Sequence, residues 1–321
     1  MEVVVKILVV SAVITLFLAL GLIASQWPKT LSATNGGLDF SNQRSGVDVG
    51  QTPVTMRDGF DLQIRDYPDA YGPLLILVHG SGWHGHQFLS LAAGLQDVAH
   101  VVVPDLRGHG PNPGRRGDID YIGQLEDDLA DLIKATAKPG QKVVLLGHSS
   151  GGGLVTRTAG GSHGMLLDGA ILLAPFLKHD APTTRPGSGG WANVLLRRII
   201  GLNMLNAAKI TALNHLQVIQ FRFPASVLDG PLGDTATTGY SFRLNTSYAP
   251  RGDYLGDVAA LPEFLLIVGE KDEAFIAAKY QPLMSGVTDK GQYLLVPDTG
   301  HLAIVDAPTT LTAIRTFLNE I

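Results

Sequence analysis

Val143–Gly153 reads Val-Val-Leu-Leu-Gly-His-Ser-Ser-Gly-Gly-Gly. An apolar run of strand length enters Gly147-His148-Ser149-Ser150-Gly151, and a helix-compatible stretch leaves it. This is G-x-S-x-G in the strand–turn–helix setting that gives the pentapeptide its meaning. Side chains at 147 and 151 would collide with neighbouring backbone. The turn lifts Ser149 Oγ above the sheet edge, over a helix N-terminus that favours developing negative charge. The pentapeptide alone is weak, because a chain with 38 glycines carries a second copy, Gly160-Gly161-Ser162-His163-Gly164. That copy follows a helical segment and precedes a strand, so it reads as a helix-ending loop.

Working outward, apolar runs recur at Leu74–Val78, Val101–Val103, Ala170–Leu173, Phe264–Val268 and Tyr293–Val296. Helix-period segments at Gln87–Leu95, Tyr121–Ala137, after Ser149, and at Thr309–Asn319 separate most of them. Unbroken Val/Ile/Leu runs alternating with helices imply a parallel sheet covered on both faces. Val54–Pro68 alternates on both sides of Asp58-Gly59, which predicts a hairpin. The expected fold class is therefore α/β, a mostly parallel eight-stranded sheet with helices on both faces. About 178–256 breaks the alternation and is too long for an ordinary connection. It reads as a cap insertion with helices over Trp191–Leu202 and Ala207–Gln220. Leu195, Leu196, Ile199, Ile200, Leu202, Met204 and Leu205 there either line an acyl site or pack the cap onto the body.

A serine needs a base to take its proton. His301, after the last strand and before the last helix, falls at the same sheet edge as Ser149. The base needs an orienting carboxylate. Asp272 follows the strand Phe264–Val268 in the required chain order Ser, Asp, His. Glu270 and Glu273 read as solvated loop charge, and Asp298 as a turn former. The oxyanion donors expected are the backbone N–H of Ser150 and that of Ser81, in His79-Gly80-Ser81-Gly82. His79, His84 and His86 lack acidic or Cys companions at helical spacing, so no metal or other cofactor is expected.

Together these motifs resemble the α/β-hydrolase superfamily, most closely its branch of monoglyceride lipases, lysophospholipases and so-called serine aminopeptidases. The residues that carry the resemblance are HGSG at His79–Gly82, DLRGHG at Asp105–Gly110, GHSSGG at Gly147–Gly152, LLAPF at Leu172–Phe176, VGEKDEAF at Val268–Phe275 and DTGH at Asp298–His301. They stand in family order over roughly 53–321. The resemblance implies an α/β-hydrolase fold, an acyl-enzyme mechanism and a scaffold role for Asp105, Arg107 and His109. Monoglyceride lipases usually carry Met where this chain has Ser150. The Gly-Gly-x-Trp-Gly of prolyl-aminopeptidase-like enzymes is absent.

Ile7–Ala24 is uncharged, and with Val3–Val5 it approaches the length that spans a bilayer. Residues 1–24 therefore read as a membrane anchor, with a cleaved signal peptide as the alternative. Residues 25–52, rich in Ser, Gly, Asn and Thr, read as a flexible linker, and 53–321 as the hydrolase domain. Lys6 before the run mildly favours an extracytoplasmic catalytic part. A net charge of −5 excludes a generally basic nucleic-acid binder, and the absence of Cys excludes thiolate catalysis and disulfides. The expected activity is a serine esterase acting on small-molecule or lipid-like esters of the monoacylglycerol or lysophospholipid type. Aminopeptidase, amidase or cofactor-free perhydrolase chemistry with the same triad, or a non-catalytic binding protein on this fold, are the alternatives.

Overall fold

The computed structural model describes residues 1–31, 37–40, 46, 48–68 and 72–321. The expected linker, 25–52, thus lies partly outside the described residues. A long helix α1 (Glu2–Ala24) comes first. The strands β1 (Thr52–Thr55), β2 (Asp61–Tyr67) and β3 (Leu74–Val78) follow. Then come α2 (Leu89–Ala93), β4 (His100–Pro104), α3 (Gln124–Thr136), β5 (Val143–His148), α4 (Ser150–Ala159) and β6 (Gly169–Leu173). The cap region contributes β7 (Ala192–Val194), α5 (Leu196–Ala207), β8 (Gln217–Phe221), α6 (Ala225–Leu228), β9 (Gly239–Ser241), α7 (Phe242–Tyr248) and α8 (Tyr254–Ala259). The chain closes with β10 (Glu263–Gly269), α9 (Tyr280–Met284), β11 (Gly291–Val296) and α10 (Pro308–Glu320).

Eight strands form one sheet in the order β1-β2-β4-β3-β5-β6-β10-β11. β2 is antiparallel to β1 and β4, and every other pairing is parallel. This is the predicted mixed α/β layout, with the hairpin at Asp58-Gly59. Strand residues alternate between two cores, as the period of two requires. Leu74, Ile76 and Val78 join the core under α3, α4 and the cap, while Leu75 and Leu77 join the core under α2 and α10. The central strands β3, β4, β5 and β6 are buried throughout, so chemistry falls to the loops at their ends. The loops after β3, β5, β10 and β11 therefore meet at one edge, where the site residues lie.

The cap departs from the expectation of two helices. Only α5 is a long helix, and residues 191–195 and 208–220 do not form helix. Instead β7, β8 and β9 make a three-stranded antiparallel sheet. Lys209 takes a left-handed φ of 63° and ends α5. Beyond it, Gln217-Val218-Ile219-Gln220-Phe221 is β-branched at its centre, which favours a strand once partners exist. Those partners, such as Ala192↔Phe221 and Gln217↔Ser241, come from distant sequence.

Helix α1 is largely exposed, but its last turns dock on the cap. Ala19 and Ile23 are buried with Leu202 and Leu205 of α5. A Cβ at Gly201 would lie 2.7 Å from Ile23 Cγ1, so glycine permits the close crossing. Arg198, 2% exposed, donates to Gln217 O and Ile23 O and lies 4.8 Å over the Trp27 ring. Arg197 donates to Ser25 O at 3.0 Å. Within 25–52, Lys29 bonds Gln220, Leu38 and Phe40 pack on the core, and Asp48 pairs with Arg65 at 3.0 Å.

Candidate active site

Ser149 joins β5 to α4 with φ 55° and ψ −121°. Such a conformation costs a non-glycine residue about 1–3 kcal/mol and survives only where the surroundings hold it. Here the Ser149 N–H donates to Leu173 O at 2.9 Å, and its carbonyl accepts from Phe176 N–H at 2.8 Å. A Cβ at Gly151 would run into the Val78 and His79 carbonyls, and one at Gly147 into the Gly151–Gly152 backbone. The steric reading of the motif therefore matches this turn. Ser162 of the second copy lies exposed in the turn after α4.

His301 and Asp272 come from the loops after β11 and β10, neighbours in the sheet. His301 Nδ1–H donates to Asp272 Oδ2 at 2.8 Å, with both side chains buried. Asp272 Oδ1 accepts from the N–H groups of Ala274 and Phe275 at 2.8 and 2.7 Å. Burial works to raise the Asp272 pKa, but the His301 imidazole and these hydrogen bonds outweigh it and hold the carboxyl below its ordinary value. An ionised Asp272 fixes the proton on Nδ1 and leaves the Nε2 lone pair for chemistry. Ser149 and His301 line one cavity together with Ser81 and Ser150. Ser149 Oγ is not hydrogen-bonded to His301 in this arrangement; such contacts tighten when substrate is in place.

The His301 backbone is clamped by residues to which the sequence reading gave no part in the site. Glu273 accepts from its N–H at 2.7 Å, which corrects the reading of Glu273 as solvated charge. His148 Nε2–H donates to its carbonyl at 2.9 Å, and Gln87 donates to His148 Nδ1 at 3.3 Å. Burial, aided by the nearby His301, lowers the His148 pKa to about 3, so this ring stays neutral. No local pattern marks Glu273, because its partner arrives only through the β10–β11 register.

The His79–His84 loop is held just as tightly. His79 Nδ1–H donates to Gly80 O at 2.9 Å, and Nε2 accepts from Leu106 N–H at 3.1 Å. From the cap, Tyr248 O–H donates to His79 O at 3.1 Å. Tyr240 Oη accepts from Gly82 N–H at 2.6 Å and donates to His109 Nε2 at 2.6 Å. His109 Nδ1–H donates to Arg107 O, which leaves Nε2 as the acceptor. Asp105 accepts from Gly85 N–H at 2.8 Å and pairs with Arg65 at 3.0 Å, so of the expected scaffold residues Asp105 and His109 brace this loop, while the Arg107 side chain pairs with Asp58 and Asp128. Burial lowers the pKa of His79 to about 4, that of His84 to about 3, and that of His109 well below its ordinary value. The Ser81 and Ser150 hydroxyls hydrogen-bond each other across the loop and α4. Ser150 is the first residue of α4, so its N–H has no partner within the helix. Among the described residues, no group of three or more His, Cys, Asp or Glu is arranged to hold a metal.

The cavity beside Ser149 has a volume of about 60 Å³, with Phe176, Trp191, Ile219, Phe221, Tyr248 and Phe275 in its wall. Its cap wall is thus made by the cap sheet and the residues beside it. The α5 side chains expected there are turned elsewhere, with Leu202 and Leu205 against α1 and Leu196 and Ile200 exposed. A smaller pocket on the other side of Ser149 is lined by Phe40, Trp83 and Phe223.

A model of the alpha/beta hydrolase family matches residues 75–314. The monoglyceride lipase of Homo sapiens is 29% identical over 136 residues, 41% of this chain and 43% of that protein. Protein phosphatase methylesterase 1 of Emericella nidulans is 32% identical over 127 residues, 33% of this chain and 31% of that protein. The Magnesium-chelatase 30 kDa subunit of Rhodobacter capsulatus is 33% identical over 100 residues, 31% of this chain and 34% of that protein. The chain thus spans less than half the length of the curated relatives it matches. Among solved structures, a putative aryl esterase from Burkholderia cenocepacia superposes with TM-score 0.59 at 21% identity, covering 84% of this chain and 98% of that one. The Paleococcus ferrophilus monoacylglycerol lipase gives 0.58 at 20% identity, covering 81% and 99%. A membrane phospholipase A gives 0.57 at 18% identity, covering 99% and 96%.

Proposed function

The chain belongs to the alpha/beta hydrolase family, and on that premise we propose a serine esterase that cleaves carboxylic esters through an acyl-enzyme. The observation that carries this reading is that Ser149 and His301 line one cavity while His301 is hydrogen-bonded to Asp272 behind it. His301 Nε2 takes the Ser149 proton as Oγ attacks the ester carbonyl, and Asp272 stabilises the imidazolium. The N–H groups of Ser81 and Ser150 receive the oxyanion. His301 returns the proton to the leaving alcohol, and water deacylates the serine by the same steps in reverse.

The cavity supports an apolar acyl group. None of the described residues lining it is Asp or Glu, so a substrate α-ammonium would find no counter-charge, which disfavours the aminopeptidase alternative. An apolar cavity of about 150 Å³ holds benzene. At about 60 Å³, this one suits a short acyl chain.

We also read α1 as a retained anchor rather than a removed signal. It is long and apolar enough to cross a membrane. Gly201 and Arg198 of the cap support retention, since they are fitted to Ala19, Ile23 and Trp27. Fluorophosphonate labelling tests the enzyme reading: labelled parent and unlabelled, folded Ser149→Ala are expected. Equal labelling of both proteins refutes the nucleophile. Rates on p-nitrophenyl esters of increasing chain length then set the acyl preference.

A further inference from the structure

We propose that the segment between α1 and β1 belongs to the active site: Phe40, with Leu38, walls a second subsite that receives the alcohol part of the ester and selects a compact alkyl alcohol. The inference rests on the esterase reading of Ser149 and deepens it, because the acyl cavity leaves the other side of the ester unassigned.

The chemistry requires two sides. The carbon attacked by Ser149 carries an acyl chain and an alkoxy group besides the oxyanion. With the oxyanion on the Ser81 and Ser150 N–H groups, the two remaining substituents of the tetrahedral carbon point apart. Ser81, Ser149 and His301 line two pockets, the cavity of about 60 Å³ that suits the acyl group and a smaller one of about 20 Å³. His301 thus faces both. The imidazole that deprotonates Ser149 can return the proton to an alkoxy oxygen on the second side. Trp191 also lines both pockets and forms the partition between them. Its ring stacks on Phe221, in the acyl wall, with centroids 5.5 Å apart. Phe223 meets it in a T at 4.8 Å and Phe40 lies at 5.7 Å, and both of these rings line the second pocket.

Phe40 comes from a stretch whose composition is that of a linker, yet it is the one aromatic residue between Trp27 and Phe60. A plain linker has no use for a docked ring. The chain is also tied down on either side of it. Lys29 N–H donates to Gln220 Oε1 at 3.2 Å, and Lys29 O accepts from Gln220 Nε2 at 2.7 Å. A Cβ at Gly37 would lie 3.7 Å from Trp191 Cα, and one at Gly46 would run into the Leu89–Ser90 backbone in the first turn of α2. Asp48 pairs with Arg65 at 3.0 Å. These fixed points keep the Phe40 ring against Trp191 and Phe223.

Size and polarity define the occupant. A single water needs at least about 10–15 Å³ of such space, so about 20 Å³ receives one or two methyl-sized groups. Leu38, Phe40, Trp83 and Phe223 give the pocket apolar walls. Of its polar residues, His148 has both ring nitrogens engaged, with His301 O and with Gln87, and the Ser81 hydroxyl is bonded to that of Ser150. A polyol hydroxyl entering there loses water and finds these groups already paired, so an alkyl alcohol is favoured over glycerol.

Full-length parent, Phe40→Ala and Phe40→Leu are compared on the acetate esters of ethanol, propanol, hexanol and glycerol, with released acetate as the readout. Propyl acetate against glycerol monoacetate compares polarity at equal length. The ratio of p-nitrophenyl butyrate to p-nitrophenyl acetate holds the leaving group fixed and reads the acyl cavity. Fluorophosphonate titration counts the intact sites of each protein. The parent is expected to favour ethyl over hexyl acetate about tenfold in kcat/KM, and propyl acetate over the glycerol ester. Phe40→Ala lowers the ethyl-to-hexyl ratio about tenfold and Phe40→Leu about threefold, and both keep the butyrate-to-acetate ratio. A parent that ignores alcohol size, or that prefers the glycerol ester, overturns the proposal. So does a parent-like alcohol profile in both variants. A changed butyrate-to-acetate ratio with an unchanged alcohol profile places Phe40 on the acyl side and also overturns it. In each of these cases a labelled Ser149 leaves the esterase reading standing. A parent that neither labels nor hydrolyses any of the esters removes that reading and the proposal with it.

Discussion

Tyr240→Phe removes one oxygen from the joint between cap and site. The hydroxyl is buried, accepts from Gly82 N–H and donates to His109 Nε2, both at 2.6 Å. The His109 pKa lies well below its ordinary value because burial disfavours its charged form, so the ring is neutral and Nε2 can only accept. Phenylalanine keeps the ring packing and leaves both partners buried and unpaired. Each orphaned group costs about 1–3 kcal/mol, so the variant should lose about 2–6 kcal/mol. That is a large part of the roughly 5–15 kcal/mol that keeps a domain folded. The catalytic effect follows from position. Gly82 adjoins Ser81, whose N–H we assign to the oxyanion, and loss of such a donor costs about 10²–10³ in kcat. Loosening its aim without removing it should lower kcat about tenfold, or about 1.4 kcal/mol, with KM little changed. Urea unfolding and p-nitrophenyl acetate kinetics measure the two effects. A stability within about 0.5 kcal/mol of the parent, the range of an ordinary surface substitution, together with an unchanged kcat would refute the account.

Asp272→Asn should fold normally and lose about 10³–10⁴ in kcat, because an amide N–H facing His301 Nδ1 drives the proton onto Nε2; activity within tenfold of the parent would remove Asp272 from its proposed role. His79, His84, His109 and His148 all have folded pKa values below the unfolded value near 6.5, so below that pH the unfolded chain binds protons the folded chain refuses. Their contribution is intact above about pH 7 and falls as the pH drops from about 6.5 toward 4, by about 2 kcal/mol at pH 5 for each of His79, His84 and His148. The urea midpoint should therefore collapse between pH 7 and 5, and a flat midpoint over that range contradicts the neutral-histidine reading. Gly151→Ala, which drives a methyl into the Val78 and His79 carbonyls, should cost more than about 3 kcal/mol or prevent folding, as seen by circular dichroism.

The sequence by itself determined what is written within short windows. Parallel strands show as unbroken apolar runs, the hairpin as Asp58-Gly59, and the elbow as glycines at 147 and 151 that steric contact requires. The order Ser149, Asp272, His301 was legible because each follows a strand and precedes a helix or turn. Tertiary structure decided what depends on pairings far apart in the chain. Glu273 and His148 became the clamp on His301 only when parallel strands set their loops side by side. Tyr240 reached the Gly82 loop across more than a hundred residues. The cap strands needed partners to outweigh a pattern that reads equally well as helix, since a strand of three to five residues carries too little periodicity to declare itself. Helix α1 announced its length and apolarity. Only packing revealed that its last turns are fitted to the cap, because a glycine at 201 has no meaning until Ile23 lies against it.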